Sequence, residues 1–291
     1  MLRSIRFHQQ PTVGPHANTQ VRAIAKPILE RKFSASLRYP VPISQSRGHK
    51  VKKTAVVFVA WGEKYVKEVE MCVQLSKDIW DHDIFLVTDE NTRVNNDLIK
   101  VIRASFKTEG LLRKTELIGF LPEDHELFLF LDSDTRVIED IGLGFAKADK
   151  FGIALSPAPN YSLDHFAGFD KILRKEGADC KGQLQYNTGV IFFKKSARVW
   201  SVFRRWRKLA SKYKNEFKND QPFFTLALDQ LDFNPYTLSI SYNYRAMGDA
   251  ISGLVRIWHS HEMMPEAINV LEQAWPARRA IGGRMLPPFP Q

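Results

Sequence analysis

Two aspartates separated by one serine follow directly on a short apolar run. Asp132 and Asp134 come after Leu127–Leu131, five apolar residues that are typical of a strand buried on both faces. Carboxylates at the end of a buried strand lose hydration, which costs free energy unless a positive group lies against them. Asp and Ser also cap turns, but a cap does not require an apolar run of this length. The pattern therefore favours a hard divalent cation, which prefers oxygen ligands and often shares them with a phosphate.

The first half of the chain predicts the elements that would position this motif. Apolar runs at 55–60, 83–88 and 99–102 predict three strands before the motif strand, and helical periodicity predicts helices at 64–80 and 111–120. This alternation predicts an α/β fold: a mostly parallel, Rossmann-like central sheet flanked by helices. In such sheets ligands bind just beyond the carboxyl ends of the strands, where Asp132 and Asp134 would lie.

The second half is more mixed. Strands are predicted at 151–155, 190–193 and 255–258, and helices at 196–214 and 221–231. The helix at 196–214 combines aromatic and basic residues, which we interpret as a core stripe and a solvated face rather than a nucleic-acid or membrane surface. No Gly-x-Gly-x-x-Gly follows the first strand and no Gly-Lys-Ser/Thr occurs, so dinucleotide and P-loop sites are not predicted.

Charge separates a basic leader from the rest of the chain. The first 53 residues contain eleven Lys or Arg and one acidic residue, which equals the net charge of +10 of the whole protein. The remainder is formally neutral, so binding to nucleic acid is not expected of it. We predict a disordered basic leader or targeting segment at 1–53, a single catalytic domain at 54–275 and a tail at 276–291.

The composition also constrains the cellular setting. No stretch approaches the roughly 18 consecutive apolar residues that a membrane span needs, so none is predicted. Cys72 and Cys180 give no disulfide framework, and Cys72 is expected to be a small core residue. We expect a soluble, cytoplasmic protein, with targeting to an organelle by the acid-poor leader as the alternative.

Four motifs in order resemble the GT-A glycosyltransferases, nucleotide-diphospho-sugar transferases, and most closely the glycogenin-like family 8 type. Leu121-Pro122 precedes the apolar run and Asp132-Ser133-Asp134, which is similar to the Asp-x-Asp (DXD) motif of that family. Tyr186-Asn187-Thr188-Gly189-Val190, Asn219-Asp220-Gln221 and Ile257-Trp258-His259 are similar to its later motifs. No single one would suffice, but their shared order makes the resemblance specific.

The resemblance implies a metal site. It assigns Asp132, Asp134 and His259 as ligands of Mn²⁺ or Mg²⁺, with diphosphate oxygens completing the shell. Both ions accept carboxylate oxygen, and Mn²⁺ also accepts imidazole. His261 lies two residues further on, so both imidazoles would share one face of a strand, and His261 is the alternative ligand or a phosphate contact.

The resemblance also implies residues around a nucleotide-sugar donor, expected to be a UDP-sugar. Asp220 and Gln221 would be catalytic, beside the anomeric carbon and the acceptor, while the pattern itself predicts a helix start there. Arg113 or Lys114 would face the donor, although either also fits a solvated helix charge. The other implied donor contacts are Ala60, Tyr65, Ser133, Asn187, Thr188, Gly189 and His261, with Tyr65 equally suited to a helix core.

We therefore expect a metal-dependent, hexosyltransferase-like enzyme, with retention implied by the resemblance alone and an acceptor that is a sugar, a protein or a small molecule. One alternative is a haloacid-dehalogenase-type phosphatase with Asp132 as nucleophile and Asp134 as acid/base. Its motif normally lies on the first strand and has Thr or Val where Arg136 stands. The other alternative is an inactive homologue that binds carbohydrate, or nucleic acid through the basic leader.

Overall fold

The computed structural model of the chain describes residues 52–79, 81–166, 168–245 and 254–261. Almost all of the predicted leader and the whole predicted tail lie outside these residues. The strands, in chain order, are β1 (Thr54–Val59), β2 (Asp83–Thr88), β3 (Ile99–Arg103), β4 (Leu127–Leu131), β5 (Thr135–Val137), β6 (Ile153–Ser162), β7 (Leu184–Lys194), β8 (Tyr236–Thr237) and β9 (Ile257–His259).

The helices alternate with these strands. The α-helices are α1 (Glu63–Ser76), α2 (Gly142–Phe151), α3 (Asp170–Glu176), α4 (Ala197–Tyr213) and α5 (Gln221–Gln230). Shorter-pitched 3-10 helices occupy Gly110–Gly119, Leu163–His165 and Ile240–Asn243. No helix in the described part of the chain is both long enough and apolar enough to cross a membrane.

Seven strands form one sheet in the order β3-β2-β1-β4-β7-β6-β8. Only β7 runs against its neighbours, and the other pairs in this sheet are parallel. The predicted α/β class with a mostly parallel central sheet flanked by helices is therefore confirmed. Strands β5 and β9 pair separately as an antiparallel ladder beside the sheet.

Alternating side chains of the central strands build two cores, one on each face. In β4, Phe128 and Phe130 join the core that includes residues of α3, α4 and α5. Leu127, Leu129 and Leu131 join the opposite core, with residues of α1 and α2. All five are buried, which explains the uninterrupted apolar run before the aspartates.

Several elements differ from the sequence prediction. The segment predicted as a helix at 111–120 is a 3-10 helix, and α2, α3 and β5 were not predicted. Helix α2 contains Gly142 and Gly144, and because glycine has a low helix propensity, the sequence gives only a weak helical signal there. A Cβ on Gly144 would lie 2.5 Å from the Phe192 ring, so close packing on β7 explains this glycine. Cys72 is fully buried, as predicted for a core residue.

Candidate metal and nucleotide site

The Asp132-Ser133-Asp134 motif forms the turn between β4 and β5. The backbone N–H of Asp132 donates to the carbonyl of Gly189 in β7 at 2.8 Å. The Thr135 hydroxyl donates back to the Asp132 carbonyl at 2.8 Å. Because these bonds fix the turn to the neighbouring strand, both carboxylates are held at the carboxyl end of β4, as the sequence predicted.

The β5–β9 ladder brings His259 to the two carboxylates. Thr135 pairs with His259 across this ladder. The His259 Nε2 lies 3.3 Å from Asp134 Oδ1 and 3.9 Å from Asp132 Oδ2. One ligand atom from each of the three residues lies within 4.8 Å of the others, a spacing that suits a shared cation. Two carboxylate oxygens and one imidazole nitrogen are a donor set that Mn²⁺ accepts.

Asn243 orients the His259 ring. Its Oδ1 lies 2.6 Å from His259 Nδ1, so that nitrogen donates and Nε2 is the nitrogen that faces the carboxylates. Metal-binding histidines are usually fixed in this manner by a second hydrogen bond. Asn243 belongs to the 3-10 helix Ile240–Asn243, and no motif in the sequence indicated this contact.

Gly189 leaves the space that the His259 ring and the Asp132 carboxylate occupy. A Cβ at this position would lie 2.2 Å from His259 Cε1 and 3.0 Å from Asp132 Oδ2. The side chain of Asn187 stabilises the same turn, since its Oδ1 accepts from the Gly189 N–H at 2.8 Å. Gly189 was predicted as a donor contact, and the structure shows a steric reason for glycine beside His259 and Asp132.

A buried lysine links the motif to Asp220. Lys114 Nζ lies 3.1 Å from Asp132 Oδ2 and 3.2 Å from Asp220 Oδ1, and the residue is 7% exposed. Burial by itself lowers the pKa of Lys114, but the two carboxylates outweigh burial and the net pKa is raised. Lys114 is therefore charged and partly neutralises the acidic site.

The aspartates differ in their surroundings. Burial raises the pKa of Asp134, but a hydrogen bond from His259 and the charges of both histidines outweigh it, so the net pKa is lowered. Burial and the nearby Asp132 raise the pKa of Asp220, against the opposing effect of Lys114. Asp134 is accordingly ionised at neutral pH, whereas Asp220 is a buried carboxylate held by Lys114 and by the Thr188 hydroxyl at 2.8 Å.

The Asp132-Ser133-Asp134 motif, Lys114 and His259 line a cavity of about 380 Å³, which we call the motif cavity. Its lining includes Ala60 and Tyr65, which follow β1, and Trp61 between them. Tyr65 is 39% exposed, so it is not a helix-core residue. The cavity also contains the predicted residues Lys114, Asp132, Ser133, Asp134, His259 and His261. A lining that combines aromatic rings with charged groups suits a ligand with a flat ring and an anionic group.

Glu68 of α1 joins two of the predicted donor contacts. Its Oε2 accepts from the Ser133 hydroxyl at 2.7 Å, and its Oε1 lies 3.1 Å from His261 Nδ1. His261 Nε2 also lies 3.7 Å from Asp134 Oδ2, further than the corresponding His259 contact. His259 is therefore the better placed imidazole. Glu68 appeared in the sequence as an ordinary polar position of an amphipathic helix.

The remaining predicted site residues lie outside the cavity lining. Arg113 stacks over Trp61, with 4.5 Å between the guanidinium carbon and the ring centroid, so Lys114 rather than Arg113 enters the cavity. Gln221 begins α5, and its buried Nε2 has no hydrogen-bond partner among the residues that the structure describes. Such a donor is free for a ligand oxygen.

A scan of the sequence against models of known protein families found no match, and a search of curated proteins found none either.

Proposed function

We propose that this protein is a metal-dependent glycosyltransferase of the GT-A, family 8-like type. It transfers a sugar from a nucleotide-diphosphate sugar, with UDP-sugar as the expected donor, to an acceptor. The observation that carries the proposal is the convergence of Asp132, Asp134 and His259 in one cavity with the Lys114–Asp220 pair beside them. Two carboxylates and an imidazole beside a lysine suit a cation that is shared with a diphosphate.

The residues of the motif cavity would have separate roles. Asp132, Asp134 and the Nε2 of His259 would hold Mn²⁺ or Mg²⁺, and Asn243 would hold the imidazole ring with that nitrogen towards the ion. The bound ion would act as a Lewis acid on the departing diphosphate. Lys114 would add a fixed positive charge where negative charge develops. Tyr65 and Trp61 would offer aromatic faces to the base.

Asp220 and Gln221 would act on the sugar and the acceptor. Asp220 is 1% exposed and fixed by Lys114 and Thr188, so its carboxylate is preorganised. A fixed carboxylate near the anomeric carbon would stabilise the oxocarbenium-like charge that forms when the glycosidic bond breaks. The unpartnered amide of Gln221 would orient a hydroxyl group. Retention is proposed from the family resemblance.

The test is a thermal-shift screen of nucleotide diphosphates with and without Mn²⁺. One nucleotide should raise the melting temperature of the wild-type protein only with the metal, because a ligand that binds the folded state stabilises it. Asp134→Ala should abolish this metal-dependent shift and donor hydrolysis. Asp97→Ala, which removes an exposed carboxylate elsewhere, is the control and should retain both. Full metal-dependent activity in Asp134→Ala would refute the proposal.

The phosphatase alternative makes a distinct prediction. It requires Asp132 to form a phosphoaspartate. Beryllofluoride, which mimics that adduct, should therefore stabilise a phosphatase and lose its effect in Asp132→Asn. We expect no beryllofluoride-dependent shift in the wild-type protein, and a shift that requires Asp132 would favour the phosphatase.

A further inference from the structure

A second cleft adjoins the motif cavity. It has a volume of about 540 Å³ and is lined by two chain segments, 107–112 and 214–218. We call it the lysine cleft, because Lys107, Lys214 and Lys218 all line it. The two spaces share the lining residues Gly110 and Leu111, so they lie against the same short segment of the chain.

The charge of the lysine cleft is not balanced by its own residues. Glu109 is the one carboxylate in the lining, against three lysines. None of these lysines forms a salt bridge with another residue in the ranges that the structure describes. The cleft therefore has a formal charge of +2 within a protein whose part after residue 53 is formally neutral.

The nearby buried carboxylate does not compensate for this charge. Glu116 Oε1 accepts hydrogen bonds from the backbone N–H groups of Lys107 and Thr108 and from the Thr108 hydroxyl, at 2.7 to 2.9 Å. Its Oε2 faces Arg207 at 3.3 Å. Glu116 thus fixes the wall of the cleft, while the lysine side chains stay available for an external anion.

The same two segments lead to the reacting end of the site. Lys114 follows Leu112 by two residues, and Asp220 follows Lys218 by two residues. Two residues span at most about 7 Å of extended chain. Lys114 and Asp220 contact each other at 3.2 Å, so the two walls of the cleft converge on this pair. A small molecule in the cleft would therefore lie beside the groups proposed to act on the sugar.

We propose that the lysine cleft binds a phosphate or carboxylate group of the acceptor, so that the acceptor is a small anionic molecule. This inference rests on the proposed function, because it places the acceptor relative to a donor in the motif cavity. The donor diphosphate is the other source of such an anion. The cation site lies in the motif cavity and not in the cleft lining, which favours the acceptor as the source. The volume suits a small ligand rather than a macromolecular surface.

The first experiment titrates inorganic phosphate into the full chain without metal and follows the amide resonances of 107–112 and 214–218. We expect saturable shifts there that chloride at equal ionic strength does not produce. The triple variant Lys107→Gln, Lys214→Gln, Lys218→Gln should weaken phosphate binding by about tenfold or more, since each lysine adds a charge-assisted contact. A matched triple variant of exposed lysines, at Lys171, Lys181 and Lys208, should change it by less than about twofold.

The second experiment separates this inference from the proposed function. The melting-temperature shift caused by a nucleotide diphosphate with Mn²⁺ should be the same in the cleft variant and the wild type. Loss of that shift in the cleft variant would assign the lysines to the donor and overturn the inference. A phosphate affinity that is unchanged by the three substitutions would also overturn it. Nucleotide binding without phosphate binding would refute the inference alone. Phosphate binding without nucleotide binding would refute the proposed function and the acceptor assignment with it.

Discussion

Replacing Gly189 by alanine should remove metal binding through geometry, without removing a ligand. The added Cβ would lie 2.2 Å from His259 Cε1, which is 1.2 Å short of the 3.4 Å at which ordinary contact begins. Metal–ligand distances tolerate changes of only about 0.2 Å. The ring must therefore move several times further than a coordinated imidazole can, and this movement would break its 2.6 Å bond with Asn243.

The expected loss in Mn²⁺ affinity is at least that caused by removing a residue that orients a ligand, about 10- to 100-fold. This corresponds to about 1.4 to 2.8 kcal/mol. Overpacking should also lower the free energy of unfolding by about 1 to 3 kcal/mol. Mn²⁺ affinity is measured from the electron paramagnetic resonance signal of free Mn²⁺, and stability is measured by urea unfolding without metal.

Two other glycines provide matched controls. A Cβ on Gly144 would lie 2.5 Å from the Phe192 ring, so Gly144→Ala should lower stability while Mn²⁺ affinity is retained. A Cβ on Gly119 would have no neighbour within 4 Å, so Gly119→Ala should change neither quantity appreciably. The reasoning is refuted if Gly189→Ala binds Mn²⁺ like the wild type, or if Gly144→Ala loses as much affinity.

Two further changes address the orientation of His259 and the stability of the fold. Asn243→Ala should weaken Mn²⁺ binding by about 10- to 100-fold, because His259 Nδ1 loses its acceptor. The control Asn243→Asp keeps an acceptor, so it should bind Mn²⁺ more tightly than Asn243→Ala in the same titration. Burial raises the pKa of Glu176, but hydrogen bonds from Lys212, Tyr213 and Gln230 outweigh it and hold the pKa at about 2, below its ordinary 4.5. Because the folded pKa is lowered, this stabilisation is present above pH 4.5 and is lost as the pH falls towards 2. Urea unfolding of Glu176→Gln should show a loss of about 2 kcal/mol at pH 7 that shrinks towards pH 2, and an equal loss at both pH values would contradict the assignment.

The central part of the fold could be predicted because its signals are local. The apolar runs of β1, β2 and β4 are uninterrupted, since these strands are buried on both faces. Helix α4 shows a clear apolar stripe from Val199 to Tyr213. Strand β5 has three residues, too few for any periodicity, and it takes its structure from pairing with β9. Its absence from the prediction reflects a contact between residues more than 100 positions apart.

The site could be predicted only in part for a similar reason. Asp132, Asp134 and Lys114 lie near one apolar run in the sequence, and His259 was found through the order of four motifs. Asn243 and Glu68 orient predicted residues through single side-chain contacts, which leave no pattern in the sequence. The choice between Arg113 and Lys114 depends on which side chain of a 3-10 helix faces the cavity, and helical periodicity of 3.6 does not describe that geometry.

Charge balance supports the proposal that this site holds a cation beside its fixed lysine. Asp132, Asp134 and Asp220 contribute three formal negative charges, and Lys114 contributes one positive charge. An anionic diphosphate that approaches at about 5 Å meets a repulsion of roughly 3 kcal/mol for each unbalanced charge at an effective dielectric constant of about 20. A divalent cation cancels the remaining formal charge of −2, whereas a second lysine would leave one carboxylate unpaired. Lys114 contacts both Asp132 and Asp220, so it would hold these two carboxylates close to each other whether or not a metal ion is bound. The proposed dependence of donor binding on metal thus follows from the formal charge of the site as well as from the identity of the proposed ligands.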